Sequence, residues 1–322
     1  MNHQAYIGHP SQIAGVEEHR LVGGKGDGMR LFEVRNGKGL AFTISADRAG
    51  DISRLTYRGV NVGFFSPCGY VAPNYYDKDG AGFLKSFTAG FFTTCGLTAV
   101  GSPCTDDGEA LPLHGTISHI PAERVNVSEE NGKIILSLTV RDTAIFGRKL
   151  ELQRTYTVDT ATDTIVLHDR VTNLDAKETP YMILYHCNFG YPMLSASTKV
   201  ELNADGILPR NDRAAEGISE ALSFTDPQEN FEEQCYYHHL TEGRVKISNP
   251  EVGISATISF DTKELPYFTE WKLMQGGEYV LGLEPGNCTP DGRDVLRKNG
   301  TLKFIAPGES VCQTVTFTFA DL

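Results

Sequence analysis

The chain has 322 residues, of which 40% are hydrophobic and 22% are charged, and its formal net charge is −12. This composition is that of a folded globular protein and excludes extended disorder. The acidic balance and the lack of Lys and Arg runs argue against nucleic acid and anionic membrane surfaces as partners. No stretch approaches the roughly 20 apolar residues of a membrane helix, and residues 1–12 lack an apolar signal segment, so we expect a cytoplasmic protein.

Neither the composition nor the spacing of the cysteines marks a boundary between domains. All-β folds often exceed about 200 residues as one unit. We therefore expect one domain over residues 1–322, with residues 1–29 as an N-terminal extension that packs on it. The seven cysteines are scattered without a CxxC motif. They are predicted to be reduced thiols, most of them packed as small apolar side chains.

Strand-like patterns cover most of the sequence. β-Branched and aromatic residues partly alternate with polar ones, and turn residues separate the segments. The clearest segments are residues 133–140, 149–158, 164–171 and 311–319. A helical pattern is confined to residues 211–223. The sequence thus predicts an all-β sandwich or barrel of mostly antiparallel strands, with few short helices.

Two N-terminal segments attract attention for their residue types. The Gly-rich residues 21–28 lack the ending of a phosphate-binding loop and are interpreted as a turn. Residues 45–58 hold three arginines and two aspartates, and Arg48 precedes a predicted bend at Ala49-Gly50. The planar fork of an arginine suits vicinal sugar hydroxyls. Weak surface salt bridges are the alternative.

Residues 61–114 are rich in Gly, Pro, Phe and Tyr, yet weakly periodic. Loops of this length in a compact domain are functional or form packed caps. Aromatic loops at the rim of a β-scaffold suit sugars, whose C–H faces stack on rings. His114 ends this region and precedes Gly115, where backbone or ligand can approach closely. From this segment alone, a histidine in an ordinary turn is the favoured interpretation.

Residues 181–192 predict a strand that ends in a turn. If the strand is extended, His186 and Asn188 share one face and project side by side. A polar site and a core histidine with a satisfied hydrogen bond both fit this pattern. The adjacent pair His238-His239 is unlike a metal site, because neighbouring strand residues point to opposite faces.

Two more strand segments carry titratable groups. In residues 266–274, Glu270 and Lys272 share a face, while Trp271 points the other way. Taken singly, Trp271 is typical of a core and Lys272 of a solvated charge. Glu284 ends the apolar run of residues 278–284, where partial burial would raise its pKa toward that of a working base. A surface ion pair at a strand end is the alternative for Glu284.

Several short motifs follow one another in a defined order. They are CGLTAVG at 95–101, LHG at 113–115, YHCNFGYP at 185–192, EWK at 270–272, LEPGN at 283–287 and PGES at 307–310. In this order the chain resembles the galactose mutarotase-like superfamily, and within it an aldose 1-epimerase-like bacterial branch. The resemblance covers about residues 30–319 and implies a β-supersandwich with a cleft for a small-molecule carbohydrate.

The resemblance also implies an acid–base mechanism. A mutarotase opens the sugar ring, allows rotation about one bond and closes the ring again. Glu284 would act as the base, His186 as the acid, and His114 would hydrogen-bond the sugar near the reacting centre. No metal or organic cofactor is implied, and we expect a monomer or a homodimer. Further candidates for substrate contacts are Asn188, Arg48, Lys272 and Glu270.

The sequence departs from the superfamily pattern at two sugar-recognising positions. An Asn–Arg motif is expected before the His-Gly segment, yet residues 82–101 contain no arginine. The expected aspartate between the second histidine and the glutamate also has no clear match. We therefore predict an enzyme that interconverts the anomers of a sugar or modified sugar. The alternative is a non-catalytic carbohydrate-binding or sensing protein. A different enzyme on the same fold, such as a lyase or glycoside hydrolase, ranks below both, because hydrolysis usually needs two opposed carboxylates.

Overall fold

The computed structural model describes residues 3–322, and β-strands dominate it. The strands are β1 (Gly15–Arg20), β2 (Arg30–Arg35), β3 (Leu40–Ser45), β4 (Asp51–Tyr57), β5 (Val60–Asn61), β6 (Phe64–Phe65), β7 (Ala89–Gly90), β8 (Phe92–Leu97), β9 (Cys104–Asp106), β10 (Glu109–Leu111), β11 (Arg124–Glu130), β12 (Lys133–Thr143), β13 (Lys149–Asp159), β14 (Thr164–Asn173), β15 (Thr179–Phe189), β16 (Lys199–Pro209), β17 (Gln234–Asn249), β18 (Ile254–Phe260), β19 (Tyr267–Gln275), β20 (Glu278–Gly286), β21 (Lys303–Ile305) and β22 (Ser310–Asp321).

Helices are few and short in residues 3–322. The α-helices are α1 (Asp212–Glu216) and α2 (Arg293–Lys298). The 3₁₀ segments are His3–Tyr6, Pro10–Gln12, Gly24–Gly26, Ala46–Arg48, Pro73–Tyr75, Gly82–Lys85, Ile117–His119 and Ile218–Glu220. The predicted helix at 211–223 is therefore a short α1 followed by a 3₁₀ turn. The side chain of Asn211 caps α1 by accepting from the backbone N–H of Ala214.

A 13-stranded antiparallel sheet forms the centre of the molecule. Its strand order is β11-β12-β13-β14-β22-β18-β17-β19-β20-β15-β21, with β16 paired to β17 and β8 paired to β15. The long strand β17 joins two parts of the sheet, because residues 234–238 pair with β19 and residues 244–249 pair with β18. The prediction of an all-β, mostly antiparallel sandwich with few short helices is confirmed.

A second sheet of five strands, in the order β1-β2-β3-β4-β5, packs against the first. Strand β1 comes from the predicted N-terminal extension and pairs along its length with β2. Side chains of β3, such as Phe42 and Ile44, share one apolar core with Leu136 of β12 and Leu152 of β13. Buried and less buried residues alternate along β12, as the period of a strand with one solvated face requires.

Strands β15 and β20 differ from this pattern, because nearly all their residues are buried on both faces. One face of β15 takes part in a buried polar network around Arg154. We call it the Arg154 cluster; its members are Arg154, Asp51, Asp169, Thr94 and Tyr185. The Arg154 guanidinium makes five hydrogen bonds, two to Asp169 and one each to Asp51, Thr94 and the Ala49 carbonyl. The Tyr185 hydroxyl donates to Asp169 over 2.8 Å. All five guanidinium N–H donors therefore have an acceptor.

None of the seven cysteines forms a disulfide in the described part of the chain, and Cys95, Cys187, Cys235 and Cys288 are buried. Within residues 3–322, no helix has the length and apolar character needed to span a bilayer.

Candidate active site

The opposite face of β15 borders a cavity of about 170 Å³. Three titratable side chains that the sequence singled out lie on its wall: His114, His186 and Glu284. Apolar side chains form much of the remaining wall: Phe83, Leu84, Phe87, Leu113 and Trp271. The aromatic-rich region at 61–114 thus supplies one side of the cavity, and the central sheet supplies the other.

The sheet register brings His186 and Glu284 together. Strands β15 and β20 pair Leu184 with Gly286 and Asn188 with Gly282, which sets His186 opposite Glu284. Nε2 of His186 lies 3.1 Å from Oε1 of Glu284. The two atoms are close enough to interact electrostatically but are not aligned for a hydrogen bond. Nδ1 of His186 and Oε1 of Glu284 are both buried without a hydrogen-bond partner in residues 3–322.

Burial acts in opposite directions on these two groups. It raises the pKa of the Glu284 carboxyl well above its usual value, with Arg210 opposing this effect and Glu233 adding to it. It lowers the pKa of the His186 imidazole to about 4, with Asn188 opposing this more weakly. Because desolvation disfavours both charges, burial favours a neutral carboxyl beside a neutral imidazole.

Aromatic rings fix the imidazole of His186. The ring centroids of His186 and Trp271 are 5.2 Å apart, those of His186 and Phe87 are 5.4 Å apart, and those of His186 and His114 are 5.6 Å apart. All three contacts are edge-to-face. This packing restricts rotation of the imidazole and limits the access of water to it.

The backbone of the His114 segment is tightly constrained. His114 has a φ of 58°, in the left-handed region. A Cβ on Gly115 would meet the carbonyl oxygens of Gly96 and Ala99, so this position requires glycine. The expected close backbone approach at Gly115 is confirmed. Nδ1 of His114 accepts from the Gly101 N–H over 3.4 Å, which leaves Nε2 of the neutral ring as a donor.

The polar pair also depends on a missing side chain. A Cβ added to Gly282 would collide with Oε1 of Glu284 and lie 3.1 Å from Cβ of Trp271. Val280, Gly282 and Glu284 lie on one face of β20, as the alternation of a strand predicts. Gly282 therefore leaves the space that the Glu284 carboxyl occupies.

A family model described as a domain of unknown function, DUF4432, matches residues 26–319. The chain belongs to the DUF4432 family. No curated protein sequence matches it.

Solved structures share the fold of this DUF4432 chain. A Klebsiella pneumoniae protein described as a candidate aldose 1-epimerase is 27% identical with a TM-score of 0.89, covering 94% of this chain and 83% of that one. A galactose mutarotase-like protein from Clostridium acetobutylicum is 13% identical with a TM-score of 0.67, covering 97% and 100%. A galactose 1-epimerase from Lactobacillus acidophilus is 14% identical with a TM-score of 0.67, covering 96% and 99%. The fold is galactose mutarotase-like, as the ordered motifs predict.

Four predicted substrate contacts of this DUF4432 chain lie off the cavity wall. Arg48 is buried elsewhere and donates to the backbone carbonyls of Val71, over 3.2 Å, and Ser86, over 2.9 Å. It therefore holds the aromatic-rich region together and does not line the cavity. Asn188 lies beside His186, and its Nδ2 donates to the His186 carbonyl over 2.8 Å. That bond anchors the side chain to the strand.

Glu270 and Lys272 are likewise excluded from the cavity, because strand alternation puts them on the face of β19 opposite Trp271. Oε2 of Glu270 lies 2.7 Å from Nε2 of His238 in a buried pair. The ammonium of Lys272 donates to the carbonyl of Glu220 over 2.7 Å and also to that of Ser223. It therefore caps the end of a 3₁₀ turn. The predicted face relationship is confirmed, but the cavity lies on the other side.

The sequence did not predict four functional candidates on the cavity wall: Trp271, Thr269, Arg210 and Glu233. Nε1 of Trp271 donates to Oε2 of Glu233 over 2.8 Å. Nη2 of Arg210 donates to Oγ of Ser102 over 2.8 Å. Arg210, which directly follows β16, therefore places an arginine on the cavity wall although residues 82–101 contain none. Only the PRNDR segment at 209–213 hinted at it, and its place in the fold depends on long-range pairing.

Proposed function

We propose that the chain is an aldose 1-epimerase that interconverts the anomers of a sugar or modified sugar. One observation carries the proposal: His186, Glu284 and His114 meet in one buried cavity, with the first two 3.1 Å apart. An acid and a base held at that separation can act on the two oxygens attached to the anomeric carbon. The galactose mutarotase-like fold and the motif order support the same reaction.

Ring opening moves two protons, one from the sugar to Glu284 and one from His186 to the sugar. Glu284, as a carboxylate, takes the proton of the anomeric hydroxyl while the carbonyl bond forms. The bond between the anomeric carbon and the ring oxygen breaks, and His186, as an imidazolium, gives its proton to the ring oxygen. Rotation about the next carbon–carbon bond and the reverse steps then close the ring as the other anomer. The pair ends the cycle with the proton it began with.

Burial tunes the two halves of this cycle differently. The neutral pair that desolvation favours is the state that accompanies the open-chain sugar. The complex with the closed-ring sugar needs the carboxylate–imidazolium pair. The 3.1 Å separation stabilises this ion pair in a site of low dielectric constant. Nε2–H of His114 is available to bind the sugar oxygen on which charge develops. Trp271 offers its ring to the C–H face of the sugar.

The test is the rate at which a pure anomer reaches its equilibrium mixture, followed by polarimetry over a panel of neutral, phosphorylated and sulfonated aldoses. We expect acceleration of at least one sugar and a loss of about 10²- to 10⁴-fold in Glu284→Gln. Glu270→Gln is the matched control, because Glu270 is equally buried but lies off the cavity. It should keep its activity.

Two results would contradict the proposal. One is the absence of acceleration for every sugar, and the other is full activity in Glu284→Gln. Calorimetric binding of a sugar without any catalysis would instead identify a carbohydrate-binding or sensing protein.

A further inference from the structure

Three polar side chains form one row across neighbouring strands on the cavity side of the sheet. His186 on β15 stands opposite Glu284 on β20, and Glu284 is the register partner of Thr269 on β19. Side chains directly opposite one another in antiparallel strands point to the same face, with Cβ atoms about 4.5–5.5 Å apart. Thr269 therefore flanks the carboxyl of Glu284 on the side away from His186.

The hydroxyl of Thr269 is buried and unpaired within the described part of the protein. Thr269 is 1% exposed, lines the cavity, and its Oγ1 has no hydrogen-bond partner in residues 3–322. Buried hydroxyls are nearly always hydrogen-bonded in native proteins, because an unpaired one costs free energy. The carboxyl of its register partner Glu284 also has an unpaired buried oxygen, Oε1. A ligand hydroxyl that reaches both side chains would give each of them a hydrogen-bond partner.

We propose that Thr269 is a substrate-contacting residue whose hydroxyl binds the sugar oxygen from which Glu284 removes the proton. This inference rests on the proposed function. The anomeric hydroxyl donates its proton to Glu284 while its oxygen accepts from Thr269 Oγ1–H. As the proton leaves, negative charge grows on that oxygen, and the threonine donor stabilises it. Thr269 keeps its own proton throughout, so no bond of Thr269 is made or broken.

The other end of the row supplies an internal control. Thr93 on β8 is the register partner of His186 and is 3% exposed, so it resembles Thr269 in burial and in its place beside the pair. Its hydroxyl, however, donates to the Ala89 carbonyl over 2.8 Å, and Thr93 does not line the cavity. The two threonines differ in whether the protein already satisfies the hydroxyl.

The experiment compares Thr269→Val, Thr269→Ser and Thr93→Val by mutarotation kinetics and thermal unfolding. Valine keeps the shape of threonine and removes the hydroxyl. We expect Thr269→Val to lower kcat/KM by about 10- to 100-fold without lowering Tm, since it removes an unsatisfied polar group. Thr269→Ser should recover most of the activity. Thr93→Val should show the reverse, a lower Tm with kcat/KM close to that of the wild type.

The outcomes separate this inference from the proposed function. An active wild type with unchanged kcat/KM in Thr269→Val would overturn the role of Thr269 and leave the mutarotase intact. A fall in Tm as large as that of Thr93→Val, without rescue by serine, would show a packing role and overturn it as well. If the wild type binds a sugar without turning it over, the calorimetric Kd takes the place of kcat/KM, and Thr269→Val must weaken it. A wild type that neither binds nor converts any sugar refutes both proposals.

Discussion

The two faces of β15 border two buried polar clusters that differ in how their hydrogen bonds are used. On one face, every N–H of the Arg154 guanidinium has an acceptor, and Tyr185 completes the cluster. On the other face, His186 Nδ1, Glu284 Oε1 and Thr269 Oγ1 are buried without partners in residues 3–322. A fully hydrogen-bonded network stabilises one arrangement of the chain, whereas unpaired polar atoms on a cavity wall can bind a ligand. Burial alone therefore does not distinguish a structural polar group from a candidate functional one. Oε1 of Glu270 is also unpaired but lies off the cavity, so the distinction needs both an unpaired atom and a place on the cavity wall.

The largest expected effect comes from breaking the closed cluster. Arg154→Met removes the cation and leaves Asp51 and Asp169 buried with one charge partner fewer. We expect the free energy of unfolding in urea to fall by about 3–5 kcal/mol, or the protein to be recovered unfolded. Arg141→Met is the control, since the Arg141 side chain is 44% exposed and the ion pairs of an exposed side chain contribute little to stability. A loss of stability in Arg154→Met no larger than in this control would contradict the structural role.

A second effect follows from the neutral histidines of the open cluster and its surroundings. Burial lowers the pKa of His186 to about 4, that of His119 to about 2, and that of His114 well below its usual value. Below pH 6.5 the unfolded chain therefore binds protons that the folded chain does not. The stability that each of these histidines contributes is fully present above about pH 6.5 and is lost as the pH falls toward 4, by about 1.4 kcal/mol per pH unit. The raised pKa of Glu284 acts in the opposite sense over this range.

His186→Asn should remove one of these contributions. We expect its unfolding free energy to fall less steeply than that of the wild type between pH 6.5 and 4.5. The slopes should differ by about 1.4 kcal/mol per pH unit, the effect of one bound proton. Urea unfolding across this range measures the slope. His168→Asn replaces an exposed histidine in the same way and serves as the control for the substitution itself. Equal slopes in His186→Asn and the wild type would show that His186 is not buried in its neutral form.

The smallest expected effect tests the space around Glu284. Gly282→Ala places a methyl group where the carboxyl of Glu284 lies and against Trp271. We expect kcat/KM to fall about tenfold because the base is displaced. Stability should change little, because the displaced oxygen has no hydrogen bond within residues 3–322 to lose. Gly206→Ala on β16 is the control, since its methyl group would have an ordinary contact with His239 and nothing closer. Unchanged kinetics in Gly282→Ala would mean that Glu284 moves without consequence.

The sequence was informative where the chemistry depends on local alternation. The period of two predicts that Val280, Gly282 and Glu284 share a face, and that Trp271 points away from Glu270 and Lys272. Alternation does not say which face meets the cavity, because strand pairing decides that. This is why Lys272 and Glu270 were expected at the site and Trp271 was not.

Other residues depend on contacts that no local pattern reveals. Arg210 and Glu233 reach the cavity because β16 and β17 bring distant segments beside β19. Arg48 resembles a ligand-binding arginine in sequence, but the backbone carbonyls of Val71 and Ser86 take up its donors. Thr269 carries no motif of its own, and only its unpaired hydroxyl in the folded chain marks it.

The double burial of β15 ties the reaction to the integrity of the fold. Tyr185 and His186 are neighbours in the chain, yet one completes the Arg154 cluster and the other serves the cavity. A shift of β15 by one residue would turn the imidazole toward Asp169 and the tyrosine ring into the cavity. Single-residue insertions or deletions within this strand would thus damage catalysis and folding together. Only insertions or deletions of two residues would keep each side chain of β15 on its own face.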